Sequence, residues 1–200
     1  MRKMKGIYNH GIQHQMYQNL CKYGAIYGVI YYLGLETGLR ISDLLALEYD
    51  ILKNPPAGGN EIIAGCFDVV EGKTGKTKTC FVSHIMRGMI VDYRNQVPYD
   101  PKDPRLFKIS RQTVSKYIKK AAENCGLFDI GCHSLRVTYA WNLLCTAHSF
   151  IYVRDALNHA FLSTTMLYLT DGVIWAIDRA YGANTATCVN NLPLQTTNHT

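Results

Sequence analysis

From Gln13 to Glu36 apolar residues recur at three- and four-residue steps, the period of a helix that buries one side, and Thr37-Gly38 supplies a stop. Ser42 lies near the start of a second helical stretch through Leu47, which puts Arg40 on the turn between the two. Lys53 to Asn60 (KNPPAGGN) is a loop, because paired prolines and paired glycines continue neither a helix nor a central strand. The pattern then changes. Glu61 to Val70 and Thr77 to Ser83 are rich in Ile, Val, Phe and Thr, and the intervening EGKTGK has hairpin chemistry, so a small antiparallel sheet with lysines at its tip is expected. His84 to Gln96 is an amphipathic helix ended by the prolines of VPYDPKDPR, and Ser110 to Cys125 is another. His133 to Ala147 reads as a buried helix and Phe150 to Leu157 as a short one. Another turn or two carries Tyr168, and Val173 to Tyr181 forms a terminal amphipathic helix. No internal repeat or linker interrupts this, so residues 1–182 are one unit, mainly α with a small β hairpin, and residues 183–200 are a polar, poorly ordered tail.

The chain has 200 residues, 48% hydrophobic and 18% charged, which suits one folded domain burying roughly two-thirds to three-quarters of its unfolded surface. Its most apolar stretch, Ala25 to Leu35, is about half the length of a membrane-spanning helix. The basic N-terminus lacks the apolar run of a signal peptide. A cytoplasmic protein without a membrane partner is expected. The seven cysteines are odd in number and lack CxxC spacing, which favours reduced core thiols over a disulfide frame or zinc site. A formal charge of +6 permits nucleic-acid binding without requiring it. On the Ser110 to Cys125 helix, Arg111, Lys116, Lys119 and Lys120 lie on or near one surface with few acids to offset them, which makes them candidate phosphate contacts.

The candidate chemistry lies in an ordered set: Arg40, the hairpin lysines, His133 with Arg136, His159, and Tyr168 nine residues further on. Arginine suits phosphate because its planar fork makes bidentate contact and its charge cannot be titrated away. His133 and Arg136 are three apart on a helix and therefore neighbours on one face. A tyrosine nucleophile gives a phosphotyrosyl bond that conserves the energy of the broken diester, so the break is reversible. Protonating the departing 5′ oxygen is a task for a lysine on the hairpin tip. These parts break a DNA backbone without metal, cofactor or small-molecule substrate. Other readings fit less well. GKTGKT lacks the first glycine of a phosphate-binding loop, since that place is Val70. His10 and His14 sit four apart with no third metal ligand nearby.

Taken together, these segments resemble the tyrosine recombinases, also called phage-type integrases, from about Leu33 to Leu169. TGLRISDLLALEY is similar to the family's first box, with Arg40 as its arginine and Asp43 where an acid is usual. HSLRVTYAWNLL resembles the second, giving His133 and Arg136, with Val137 where histidine or another polar residue is common. ALNHAFLSTTMLYL resembles the stretch that gives His159 and Tyr168, with Asn158 in place of the usual glycine; asparagine tolerates left-handed backbone angles. KTG favours Lys73 as the general acid, while Lys76 and Lys78 are close enough to compete. The resemblance implies the family's catalytic-domain fold and a site-specific recombinase acting on double-stranded DNA as a homo-oligomer, nucleoid-associated when bound. Two alternatives share these features: a type IB topoisomerase-like nicking and resealing enzyme, and a DNA-binding accessory protein without turnover. Family members usually carry a DNA-clamping domain before the first box, and here only about thirty residues precede it.

Overall fold

A computed structural model describes residues 4–51 and 63–181. The expected loop at 53–60 and the tail at 183–200 lie outside the described residues. The element order is α1 His10–Cys21, α2 Ala25–Thr37, α3 Ile41–Leu45, β1 Ile63–Val70, β2 Thr77–Ser83, α4 His84–Gln96, α5 Arg111–Glu123, α6 Cys132–Ala147, α7 Phe150–Ala156 and α8 Leu162–Tyr181. The fold is mainly helical, with one two-stranded antiparallel sheet pairing Val70 with Thr77 at its tip.

α2 is the centre. It buries Val29, Ile30, Tyr31, Leu33 and Leu35 and packs against α1, α4, α6 and β2. α5 closes this core with Val114, Ile118, Ala121 and Ala122, leaving its cationic side outward. A second cluster, Ala140, Trp141, Val153, Leu157 and Leu169, joins α6 to α7 and α8. Local chemistry sets the helix starts: Asn9, Ser83, Ser110 and Ser149 each accept a backbone N–H of the first turn on their side-chain oxygen.

Three expectations change. The helical period from Gln13 to Glu36 is split into α1 and α2, because Tyr23 and Gly24 close a turn in which Gly24 takes φ +138°, a backbone angle the apolar pattern does not register. Tyr168 and the segment from Val173 to Tyr181 belong to one continuous helix, α8, where two pieces are expected. The thiols are not uniformly core: Cys80 and Cys132 are buried, Cys21 and Cys145 are exposed, and none of the six described cysteines is in a disulfide. Among the described residues no helix is long and apolar enough to cross a membrane.

The end of α2 fixes the turn that carries Arg40. Gly38 caps the helix in the left-handed region at φ +60°, its N–H bonded to the Gly34 carbonyl, and Tyr139 of α6 lies directly over its Cα. A methyl group there meets the Tyr139 ring and a strained backbone at once. Gly38→Ala is expected to cost about 3 kcal/mol, roughly 1–2 from the left-handed angle and the rest from displacing the ring. Thermal denaturation checks this, with a fall in Tm of roughly 6–12 °C expected for a domain of this size.

Candidate active site

Arg136 is among the largest fully buried side chains, 1% exposed on the inner side of α6. Burying a guanidinium requires that its donors be met. Nη1 donates to the Gly38 carbonyl at 2.6 Å and Nη2 to the Leu157 carbonyl at 2.6 Å. These carbonyls close α2 and α7, where helix C-termini leave acceptors unpaired and favour a cation. Nη1 also lies 3.3 Å from Glu71 Oε1. Arg136 thus binds two helix ends to the hairpin, while its Nε is buried without a hydrogen-bond partner.

Glu71 is the residue that sequence reasoning missed. It follows β1 directly, its side chain is fully buried, and Oε1 sits 2.7 Å from Arg40 Nη1 as well as beside Arg136. Oε2 accepts from Thr74 Oγ1 at 3.0 Å. Burial alone raises the Glu71 carboxyl, but Arg40, Arg136 and Thr74 outweigh it and the net shift is downward, so it is an anion at neutral pH. The one sign in the sequence is an acid set between a Val/Phe strand and a run of lysines. Arg40 itself, at the start of α3, keeps a 22% exposed side chain and lies 3.9 Å from Asp43 Oδ2. Its Nη1 is in a 2.7 Å ion pair with Glu71 Oε1. Two arginines share this one carboxylate, so the pair keeps an excess positive charge that an anion would balance.

Tyr168 stands on the first half of α8 between two imidazoles. The His133 ring lies 5.2 Å away at 71° and the His159 ring 5.0 Å away at 65°, both edge to face. His159 Nδ1 pairs with the fully buried Thr165 Oγ1 at 3.0 Å. Asn158 just before it takes φ +52°, as expected of a residue standing where glycine is usual. Burial, then Arg136 and Arg40, pushes His159 down to about 4. His133 keeps an exposed edge, yet the protein around the rest of its ring, followed by Arg136, Arg40, Arg111 and Lys73, also lowers it. Both imidazoles are therefore neutral at pH 7. Leu169 is buried beside the tyrosine, and Gly172 lets α8 close onto Trp141, so the backbone carrying Tyr168 is packed on both sides.

The hairpin separates its lysines. Lys73 and Lys76 are exposed on the turn, whereas Lys78 is buried, donates to the Thr37 carbonyl and lies over the Tyr139 ring at 5.0 Å. Burial pushes Lys78 down to about 8. Lys78 therefore faces the end of α2, whereas Lys73 and Lys76 sit on the exposed turn; Lys73 is among the cations that lower His133. On α5, Arg111, Lys116 and Lys119 line one shallow groove of about 510 Å³ with Gln112 and Ser115. Lys120 is turned away from that groove, with its ammonium 4.9 Å over the Tyr23 ring. Five expected residues, Arg40, His133, Arg136, His159 and Tyr168, are thus brought together, with Lys73 at the rim and Lys76 further along the turn.

The sequence profile of the phage integrase family matches residues 12–172. Among curated relatives, the probable integrase/recombinase YoeC of Bacillus subtilis is 28% identical over 144 residues, covering 70% of this chain and 75% of that protein. A tyrosine recombinase of Pseudothermotoga lettingae is 31% identical over 137 residues, covering 66% of this chain and 45% of the relative. Among solved structures, the XerH recombinase bound to its difH substrate superposes with a TM-score of 0.67 at 19% identity, over 84% of this chain and 51% of that one. The catalytic domain of bacteriophage HP1 integrase gives a TM-score of 0.59 at 15% identity, over 98% of this chain and 100% of that one. A lambda integrase dimer bound to a core site gives 0.61 at 19% identity, over 84% of this chain and 60% of the other. The chain spans three quarters of YoeC but about half of the Pseudothermotoga recombinase and of XerH.

A depressed histidine takes up a proton on unfolding, so its contribution to stability is complete above about pH 6.5 and is lost as pH falls through its folded value, about 4 for His159. Melting curves at pH 7 and pH 4.5 are expected to show a larger loss for the parent than for His159→Gln. Equal losses would mean that His159 titrates normally in the folded protein.

Proposed function

The chain belongs to the phage integrase family, and on that premise we propose that it is a site-specific DNA recombinase that cuts and rejoins duplex DNA through a 3′-phosphotyrosyl intermediate. The observation that carries this reading is the convergence of two arginines that share a single carboxylate and one tyrosine held between two neutral imidazoles. A scissile phosphate completing the hydrogen bonding of Arg40 and Arg136 is charged on its non-bridging oxygens. That charge grows in the pentacovalent transition state, where fixed donors act most strongly.

Tyr168 Oη attacks the phosphorus. Its bond to phosphorus forms as the bond from phosphorus to the 5′ oxygen breaks, the phenol proton passes to neutral His133, and the Lys73 ammonium protonates the departing oxygen. In the tautomer this reading uses, His159 Nδ1 accepts from Thr165 Oγ1 at 3.0 Å and Nε2 carries the proton as a further donor to the phosphate. Attack of a 5′ hydroxyl on the phosphotyrosine runs the same steps backwards and reseals the strand. The family likeness of relatives caught on DNA, one of them a dimer, supports double-stranded DNA as the partner and an oligomer as the working form. The α5 groove supplies phosphate contacts through Arg111, Lys116 and Lys119, with Lys76 adding charge from the hairpin turn and Lys120 from outside the groove. A DNA-binding accessory role without turnover accounts for that groove but leaves unexplained a tyrosine held between two neutral imidazoles.

Nicked suicide duplexes of candidate target sequence test the reading, because loss of the short cleaved strand traps the covalent adduct. The parent is expected to form it, and Tyr168→Phe to bind DNA without doing so. An adduct formed by Tyr168→Phe and mapped to another tyrosine would overturn the assignment. Arg136→Lys is expected to slow cleavage about a hundredfold, since one lost preorganised donor costs on the order of 3 kcal/mol of barrier. Cleavage at the parental rate by a folded Arg136→Lys protein would make that arginine structural only. Binding by the α5 groove alone should weaken with salt at a slope of a few units, roughly −0.9 per phosphate contacted; a salt-independent affinity would exclude it as the DNA face.

A further inference from the structure

Lys73 is exposed on a turn, yet protonating one particular oxygen requires that its ammonium be held to within a fraction of an ångström. The turn has few anchors. A Cβ at Gly75, at its tip, would touch nothing within 4 Å, and no hydrogen bond of the Lys73 side chain holds it in place among the described residues. Two carboxylates hold its base. Asp43 Oδ1, from α3, accepts the Gly72 N–H at 3.1 Å. Glu71 closes the turn through its backbone, donating its N–H to the Lys76 carbonyl at 2.9 Å and accepting from Thr74 and Gly75 at 3.2 and 2.8 Å. The Glu71 side chain then runs inward, with Oε2 on Thr74 Oγ1 and Oε1 on both guanidiniums. One residue therefore joins the segment that carries Lys73 to the pair that faces the phosphate.

We propose, on the reading of the site given above, that Glu71 is a positioning residue that registers the Lys73 turn against Arg40 and Arg136, so that the proton donor is in place for the leaving oxygen only while this carboxylate spans the two. A counter-ion without this role would need only its charge. Glu71 has more: one oxygen is committed to the turn through Thr74 and the other to the arginines, which is the arrangement of a strut. The charged groups around it are Arg40 of the α2–α3 turn, Arg136 of α6, Asp43 of α3 and Lys78 of β2.

The step that depends on the strut is proton transfer to the 5′ oxygen, and a substrate that needs no such proton separates the possibilities. In a duplex whose 5′ bridging oxygen is replaced by sulfur, the thiolate leaves unprotonated while attack by Tyr168 and the charge on the phosphate are unchanged. Glu71→Gln keeps the shape but loses the ion pair, and Thr74→Val releases the turn from Oε2 while leaving both arginines with their carboxylate. On the ordinary substrate, single-turnover cleavage by Glu71→Gln is expected to fall by about a hundredfold, the low end of what general acid catalysis contributes. Thr74→Val is expected to fall by about tenfold, less than the full general-acid contribution of roughly 10²–10⁴-fold because Glu71 keeps its ion pairs with both arginines. On the sulfur substrate both are expected to cleave within about threefold of the parent, as a defect confined to proton transfer requires.

Equal defects on the two substrates would place Glu71 in the arginine clamp or in folding and overturn the proposal; so would parental rates on the ordinary substrate. Should Glu71→Gln not fold, as judged by its melting curve, Thr74→Val decides with the same two substrates. The proposal and the reading it rests on fail differently. A parent protein that forms no adduct with either substrate sinks the recombinase reading, whereas a parent active on both with no selective rescue of the variants sinks only the role of Glu71.

Discussion

A guanidinium is costly to seal inside a protein unless its charge and most of its donors are answered, and the burial of Arg136 imposes that condition on four elements at once. The carbonyls ending α2 and α7 must point at it, the strand exit at Glu71 must supply a carboxylate, and α6 must carry it on its inner face. Removing one partner from such a buried set typically costs 3–5 kcal/mol because a charge is left uncompensated. The positions of the Arg40 turn, the Lys73 hairpin and the segment leading to His159 are all consequences of satisfying that one side chain. In this fold the arginine proposed to face the phosphate is also the group that assembles the domain.

The electrostatics follow from the same crowding. Burial makes protonation of either histidine unfavourable, and Arg136 and Arg40 add to the effect, with Arg111 and Lys73 contributing at His133. Neutral imidazoles beside Tyr168 can take or give a proton, which imidazolium ions in that cationic surrounding could only give. Glu71 limits the excess positive charge without neutralising it. The site thus remains attractive to an anion while the folded chain tolerates being empty.

Much of this was legible in the sequence where local chemistry decides. The bounds of α4 and the hairpin follow from Ser83 as a cap, from the prolines after Val97 and from EGKTGK between two β-rich runs. The ordered spacing of Arg40, His133, Arg136, His159 and Tyr168 named the groups that the fold brings together. What escaped depends on tertiary contact. The period running through Gln13 to Glu36 does not reveal that Gly24 reverses the chain, since both halves bury the same kind of face. Glu71 is an unremarkable acid until Arg136, 65 positions later, is seen beside it. Lys78 and Lys73 look alike in a run of lysines, and only the direction of the strand pleat sends one inward.

The helix that carries Tyr168 is continuous from Leu162 to Tyr181 and is seated on both sides of the tyrosine, by Thr165 and Leu169 and by Gly172 against Trp141. Lending that tyrosine to a neighbouring molecule would require pulling this seat apart, and nothing in the way it is packed favours doing so. On the proposed function each polypeptide would be self-sufficient in its chemistry, with nucleophile, clamp and proton carriers all from one chain. What an assembly would then add is order, deciding which copy acts and when.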